Sequence, residues 1–329
     1  MILLFWAVLA ASDVQKQAPV TCPVDGTKFT ATEITGTNHW GGRDADGCPH
    51  AFNTTPLESY VYVCPGCKFA GRKKDFEAAL PDADKKALLA ELKPMAEIKK
   101  DAKQNQIPGW VKYDLLGQAA QIRKAPPEEL GRAWLHAAWS CRQQGAVYLY
   151  DFEEWEALRD RYNLNQKPMQ FGLAKNRTDF ELDVARKLEK EIDGKQHEKG
   201  INRLLSRYLV SYLYRKHGET AAAERWLTDL ERLKGENSIV DEAAAKSRTL
   251  LPMERDFMKK ALETYKAAYE GEKLDKKVAP EVAYLLGELS RRTADPKAAS
   301  TWFQKAIDTT DSDPLKKLSA AQKALAEKP

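Results

Sequence analysis

Apolar positions recur at helical spacing through most of the chain. Between residues 200 and 217, Ile201, Leu204, Leu205, Tyr208, Leu209, Tyr212 and Leu213 keep the i, i+3, i+4 rhythm over three turns. A face that rich predicts a helix covered by neighbours, stopped at Gly218. The next helix opens near Thr220 with Ala222, Trp226, Leu227, Leu230 and Leu233 on one side. A later pair repeats the design. Val282, Leu285, Leu286 and Leu289 face Ala299, Trp302, Phe303, Ala306 and Ile307 across a turn at Asp295-Pro296. Upstream, Pro126-Pro127-Glu128-Glu129 places proline and acid at a helix start. Leu130, Trp134, Ala137, Ala138 and Cys141 follow on one stripe, and Phe152, Trp155 and Leu158 mark a further helix. Residues 238–272 predict one or two longer helices with a break or start at Pro252, and Asp313-Pro314 opens the last one.

The periodicity differs before residue 73. Tyr60, Tyr62 and Cys64 alternate with Val61 and Val63, the period of a strand, and Thr30–Thr35 reads as a second. Residues 38–60 carry little periodicity and read as a long loop held by Cys48, with Asp44-Ala-Asp-Gly as a tight turn. Residues 73–126 read as a helical linker. In it a short helix at Asp75 stops before Pro81, Asp82 caps the next, Leu88, Leu89 and Leu92 share a face, and a helix runs from Trp110 to about Ile122.

Composition adds little to this outline. The chain of 329 residues carries a net charge of only +4, with basic residues spread among acidic ones as on solvated helix faces. That balance does not point to nucleic acid. No nucleotide loop, paired-carboxylate metal site or Ser/His/Asp arrangement stands out. Glu153-Glu154 and the Glu189, Glu191 pair read as surface charge, His136 as a surface residue and Cys141 as a core thiol.

The chemistry concentrates in four of the five cysteines. Cys22-Pro-Val-Asp-Gly and Cys64-Pro-Gly-Cys form two similar half-sites, each leading to a phenylalanine. A tetrahedral zinc site needs four ligands, and a paired-turn pattern would put cysteine at position 25, where this chain has Asp25. Cys48 can fill that place, so the expected ligands are Cys22, Cys48, Cys64 and Cys67 around a structural Zn2+. Asp25 is the first alternative for the fourth position, and His50 and His39 come next. Four cysteines in an oxidising compartment also permit two disulfides. A thioredoxin-like redox pair is disfavoured because no βαβ pattern surrounds Cys64 and Cys67.

Residues 2–10 are continuously apolar and end in small residues at Ala10-Ala11-Ser12, the pattern of a secretory signal peptide, although no Lys or Arg precedes them. The run is too short to span a bilayer, which takes about 20 residues. The expectation is an exported, periplasmic protein with no stable membrane insertion after cleavage; a cytoplasmic location is the alternative.

Two resemblances follow from these residues. Leu286-Gly287 with Ala299, Phe303 and Ala306 resembles a tetratricopeptide repeat, and Leu209, Ala222 and Trp226 resemble a degenerate one. An irregular helical bundle is the competing reading. Cys22-Pro-Val-Asp-Gly-Thr-Lys-Phe, Asp46-Gly-Cys-Pro-His and Val61-Tyr-Val-Cys-Pro-Gly-Cys-Lys-Phe-Ala resemble a bacterial family of unknown function. In that family a cysteine-rich head precedes a tetratricopeptide-like domain, and cysteine stands at the position of Asp25. The family carries no established activity.

The expected architecture is mainly α, with a small zinc-ribbon-like β head followed by a tetratricopeptide-like helical array. Its segments are a signal peptide and short linker (1–19), a metal-binding head (20–72), a helical linker (73–126) and a helical domain (127–329). The expected function is a non-enzymatic scaffold that binds a protein or peptide on the array. The alternative is a metal-dependent or thiol enzyme with its centre at the junction of head and array.

Overall fold

The structure is a computed structural model and describes residues 14–37, 42–51, 56–93, 103–147, 149, 153–164 and 174–327. The apolar run 2–10, His39 and Phe152 lie outside the described residues. As expected, the protein is mainly helical, with a small β head preceding an array of helices. Among the described residues no helix is long and apolar enough to cross a membrane.

The head holds two short antiparallel ribbons. Strand β1 (Val14–Thr21) pairs with β2 (Lys28–Gly36), Thr21 opposite Lys28 and Ala18 opposite Ala31. The stretch before Cys22, expected as a linker, is thus mostly a strand. Its polar sequence hid it, because a ribbon exposed over most of its surface needs no alternation. Strand β3 (Tyr62–Val63) pairs with β4 (Ala70–Gly71). Helix α1 (Lys73–Glu77) closes the head through Phe76, whose ring meets Phe29, Tyr62 and Phe69 at centroid distances of 5.6, 5.9 and 5.2 Å. The phenylalanines that follow the two half-sites therefore share one small core.

Helix α2 (Asp82–Glu91) buries Leu88 and leaves Leu89 exposed, so the expected three-leucine face is only partly used; Pro81, not Asp82, holds the cap position. Helix α3 (Gly109–Ile122) is buried on nearly every side from Gly109 to Ala120, as a helix apolar all round must be. It belongs to the core. Gly117 allows the Trp134 ring against its backbone, since a Cβ there would lie 2.4 Å from that ring.

The remaining helices are α4 (Pro127–Val147), α5 (Glu153–Arg161), α6 (Ala174–Asp193), α7 (Asn202–Lys216), α8 (Thr220–Glu231), α9 (Ser238–Glu270), α10 (Ala279–Arg292), α11 (Pro296–Thr309) and α12 (Asp313–Ala326). They build two cores. One gathers α3, α4, the C-terminal half of α9, and α10 to α12. The other gathers α5 to α8 and the N-terminal half of α9. Helix α9 runs unbroken through Pro252 and is shared by both. The periodicity allowed one helix or two there; burial at both ends outweighs the one hydrogen bond that proline removes.

The two expected helical hairpins are present. In α7 and α8 the buried alanine is Ala223, and Ala222 is only half-covered. In α10 and α11, Leu286, Ala299, Phe303 and Ala306 are fully buried, and a Cβ on Gly287 would lie 2.6 Å from the Phe303 ring. Replacing Gly287 by alanine should therefore lower stability by about 1–3 kcal/mol, the usual cost of overpacking, despite alanine's better helix propensity. Urea unfolding measures this, and an unchanged or raised midpoint would mean that the two helices do not meet there.

Candidate metal centre and the buried charge network

The two half-sites fold into the same turn. The Cys22 N–H donates to the Thr27 carbonyl at 2.8 Å, and the Gly26 N–H donates back to the Cys22 carbonyl at 3.0 Å. In the second turn, Cys64 N–H reaches Phe69 O at 2.8 Å and Lys68 N–H reaches Cys64 O at 3.0 Å. The fifth residue of each turn is left-handed, Gly26 at φ 74° and Lys68 at φ 65°. Glycine adopts this freely; for Lys68 it costs roughly 1–2 kcal/mol, offset in part by a bond from its Nζ to Pro65 O at 2.7 Å. The matching makes Asp25 the counterpart of Cys67. Gly66 lets the turns approach, since a Cβ there would fall 2.4 Å from Asp25 Oδ2.

Cys22, Asp25, Cys64 and Cys67 consequently present ligand atoms within 4.8 Å of one another and can hold a metal ion. Cys22 Sγ lies 3.6 Å from Cys67 Sγ, and Cys64 Sγ lies 3.5 and 3.6 Å from the Asp25 carboxylate oxygens. The Asp25 carboxylate also accepts from the Thr27 N–H at 3.0 Å. Protons are unevenly shared. Hydrogen bonds from Cys22 and then Cys67 pull the Cys64 thiol down to about 3, while the bond with Cys64 pushes Cys22 up to about 12. Cys67 is raised by its bonds with Cys22 and Cys64. Burial works against the Asp25 carboxylate, but Thr27 and the thiols of Cys22 and Cys64 hold it below its ordinary value.

Cys48 is not in this group. It belongs with Asp44 and His50 in a second set of donors, also within 4.8 Å of one another. The structure thus brings Cys22, Cys64 and Cys67 together, puts Asp25 beside them, and places Cys48 elsewhere. All five cysteines are free thiols. Three of the four head cysteines share one centre, so two disulfides within the head would require Cys48 to leave its buried place.

The loop carrying Asp44, Asp46 and Cys48 is tied down by charge. Arg142 of α4 donates from Nη1 to Asp44 Oδ2 at 2.9 Å and from Nη2 to Asp46 Oδ2 at 2.7 Å. Its Nε reaches Glu254 Oε1 of α9 at 2.8 Å, and Glu254 also takes Arg215 of α7 at 2.7 Å. Trp139 Nε1 bonds Asp46 Oδ2 at 3.1 Å, and the Tyr284 hydroxyl bonds Ala45 O at 2.6 Å. A second knot holds Glu181 of α6 between Lys216 at 2.7 Å, His217 at 2.6 Å and Arg177 at 2.8 Å. Burial opposes ionisation of Asp44, yet His50, Lys216 and Arg142 hold it well below the usual carboxylate range. Burial likewise opposes Glu181, and Lys216, Arg177 and His217 overcome it.

These residues were missed as a site because intermixed charges look solvated. A signal existed. Arg142 is in phase with Leu135 and Ala138, Glu254 with Leu250, Phe257 and Ala261, and Lys216 with Leu205, Leu209 and Leu213. A charge inside an apolar stripe is a buried charge that needs a partner. His136 also departs from expectation. It stacks on Trp139 at 4.7 Å and meets Tyr113 edge-on at 5.2 Å, and burial lowers its pKa to about 3. Glu189 and Glu191 are not plain surface charge either: Glu189 accepts from Tyr214 and Trp226, and Glu191 from Tyr162 and from His197.

Residues 16–251 and 245–327 match the family described as "uncharacterized protein conserved in bacteria (DUF2225)". The chain belongs to this family. No curated protein and no solved structure matches it.

Changing Arg142 to alanine should cost about 3–5 kcal/mol, because three buried carboxylates lose their shared cation. Arg142→Lys should recover only part of this, since one ammonium cannot span the three acceptors. Urea unfolding at neutral pH checks both, and a loss below ~1 kcal/mol for the alanine variant would show the network to be dispensable.

Proposed function

We propose that this DUF2225 member is a non-enzymatic binding scaffold whose head is held by a structural zinc ion. The observation that carries the reading is the closed donor set. Three thiols and one carboxylate fill the four positions zinc prefers in structural sites and leave no place for a reacting water. The spacing suits that ion. Zn–S bonds of about 2.3 Å in a tetrahedron set sulfurs roughly 3.8 Å apart, and a carboxylate oxygen at about 2.1 Å sits roughly 3.6 Å from a sulfur. Cys22 Sγ and Cys67 Sγ are 3.6 Å apart, and Cys64 Sγ lies 3.5 and 3.6 Å from the two Asp25 carboxylate oxygens. A bound zinc would hold Cys22, Cys64 and Cys67 as thiolates and tie the two ribbons together. The fit replaces the expected Cys48 by Asp25.

The binding surface of this reading is a groove of about 670 Å³ between loop 43–47 and helices α4, α10 and α12. Leu135, Trp139, Tyr284, Leu285, Leu315 and Leu318 line it. An apolar trough beside stacked helical hairpins suits an extended peptide with apolar side chains. The α10 and α11 hairpin, with Gly287 under Phe303, supports a tetratricopeptide-like unit. We assign the protein to the exported fraction on the apolar run at residues 2–10 alone. The enzyme alternative draws on the second donor group, taken up below.

Purified protein should carry a zinc ion that is lost from Cys22→Ser, Cys64→Ser and Cys67→Ser, weakened in Asp25→Ala, and kept in Asp25→Cys and Cys48→Ser. Metal analysis after gel filtration reads this out; retention in all three cysteine variants would end the zinc reading. Peptides selected from a random library on the intact protein should share spaced apolar residues and lose binding to Leu318→Glu by at least about tenfold, the effect of ~1.4 kcal/mol. Selected peptides that ignore Leu318→Glu and Leu285→Glu would remove the groove from the proposal.

A further inference from the structure

We propose that Asp44, Cys48 and His50 form a second metal site, separate from the head, that takes a divalent transition metal of the zinc class and keeps one coordination position open. This inference does not depend on the scaffold reading or on zinc in the head.

The loop is built to present these three donors together. Arg43 bridges to Pro49 as in a tight hairpin, Asp44 N–H donates to Cys48 O at 2.9 Å, and Gly47, at φ 86°, makes the reversal. The His50 N–H donates to Gly42 O at 2.8 Å. The carboxylate, thiol and imidazole therefore converge from positions two and four residues apart, with their ligand atoms within 4.8 Å.

Asp44 Oδ1 and His50 Nε2 form a buried ion pair at 2.8 Å, but they are angled so that neither atom makes a well-formed hydrogen bond. Asp44 is 3% exposed, so bulk water does not complete its shell. A buried carboxylate oxygen without a well-aligned hydrogen bond is costly, and a cation shared by the oxygen and the ring nitrogen relieves both. Lys216 Nζ lies 3.9 Å from Asp44 Oδ1 but is drawn to Glu181 at 2.7 Å.

The surroundings resemble the supports that metal ligands require. Arg142 holds the other oxygen of Asp44 at 2.9 Å and so fixes the direction of Oδ1. The Gln143 side-chain amide donates to Cys48 Sγ at 3.5 Å and to Pro49 O at 2.6 Å, and an N–H aimed at sulfur steadies a thiolate. The donor chemistry selects the metal. A thiolate beside an imidazole and a carboxylate suits zinc and its neighbours and disfavours magnesium and calcium, which prefer oxygen alone. Three protein ligands are the number found where zinc keeps a place for water or a substrate atom. Asp44 also lines the apolar groove described above.

The test is metal counting on the full chain, loaded with zinc and freed of excess by gel filtration. The wild type should retain a second zinc beyond the one lost with Cys64→Ser. His50→Gln and Cys48→Ser should each lose that second zinc and keep the head zinc. His50 is at the rim, its side chain 12% exposed, so His50→Gln decides the question if Cys48→Ser fails to fold. Cobalt(II) in the Cys64→Ser background should give a sulfur-to-metal absorption band that His50→Gln shifts and Cys48→Ser abolishes. A wild type with no zinc beyond the head's, or a second zinc that survives both variants, would overturn the proposal. A wild type whose single zinc is lost from His50→Gln and kept in Cys64→Ser would sink the structural-zinc reading and leave this one intact.

Discussion

Arg142 sits where water does not reach, held by Asp44, Asp46 and Glu254. A lone guanidinium there would be prohibitively expensive, and so would any of the three carboxylates alone. Each group therefore fixes the others, and they come from three places: the loop after β2, helix α4 and helix α9. Arg215 on Glu254 extends the cluster into α7. The network lies where the two helical cores meet along α9, so the loop, the head and both cores are placed by one set of charges. A buried pair of this kind adds less to net stability than an apolar contact of equal volume, but it tolerates few alternative arrangements. That trade suits a junction whose function is to hold one geometry.

The head follows a different logic. It is small and its ribbons are short. Phe29, Tyr62, Phe69 and Phe76 gather a minor core on one side, while Val61, Val63 and Ala70 join the core of α3 and α4 on the other. The minor core alone is too small to hold the two turns together, and a staple adds to it. Two equivalent turns carry the donors, and their equivalence puts Asp25 at the position Cys67 holds in the other turn, where it can join the three thiols around a metal ion. Cys48 lies apart from them, in the loop that Arg142 pins.

Most helices were legible from the chain alone. Their stripes are three to five turns long, and proline, glycine and acid mark their ends. The pairing of α10 with α11 was legible too, because Gly287 opposite Phe303 is a local pattern with a steric meaning. Both half-sites were readable, as were three of the donors that meet in the head. Strand β1 was not, because an exposed polar ribbon has no periodic signature. Leu89 and His136 were misplaced because one residue's surroundings depend on which neighbour covers it.

By itself the sequence determined most of the helices, the two matching turns and the small set of side chains able to bind a metal; helix α6 (Ala174–Asp193) was not read, and Pro252 breaks no helix. These properties are local: they follow from spacing along the chain and from backbone preference. The tertiary structure decided which donors meet. It put Asp25 with Cys22, Cys64 and Cys67, and moved Cys48 to Asp44 and His50. It also decided that charges which look solvated in sequence are buried in pairs. Proximity between residues about 100 positions apart, such as Asp44 and Arg142, is set by packing, and packing leaves no period in the chain to read.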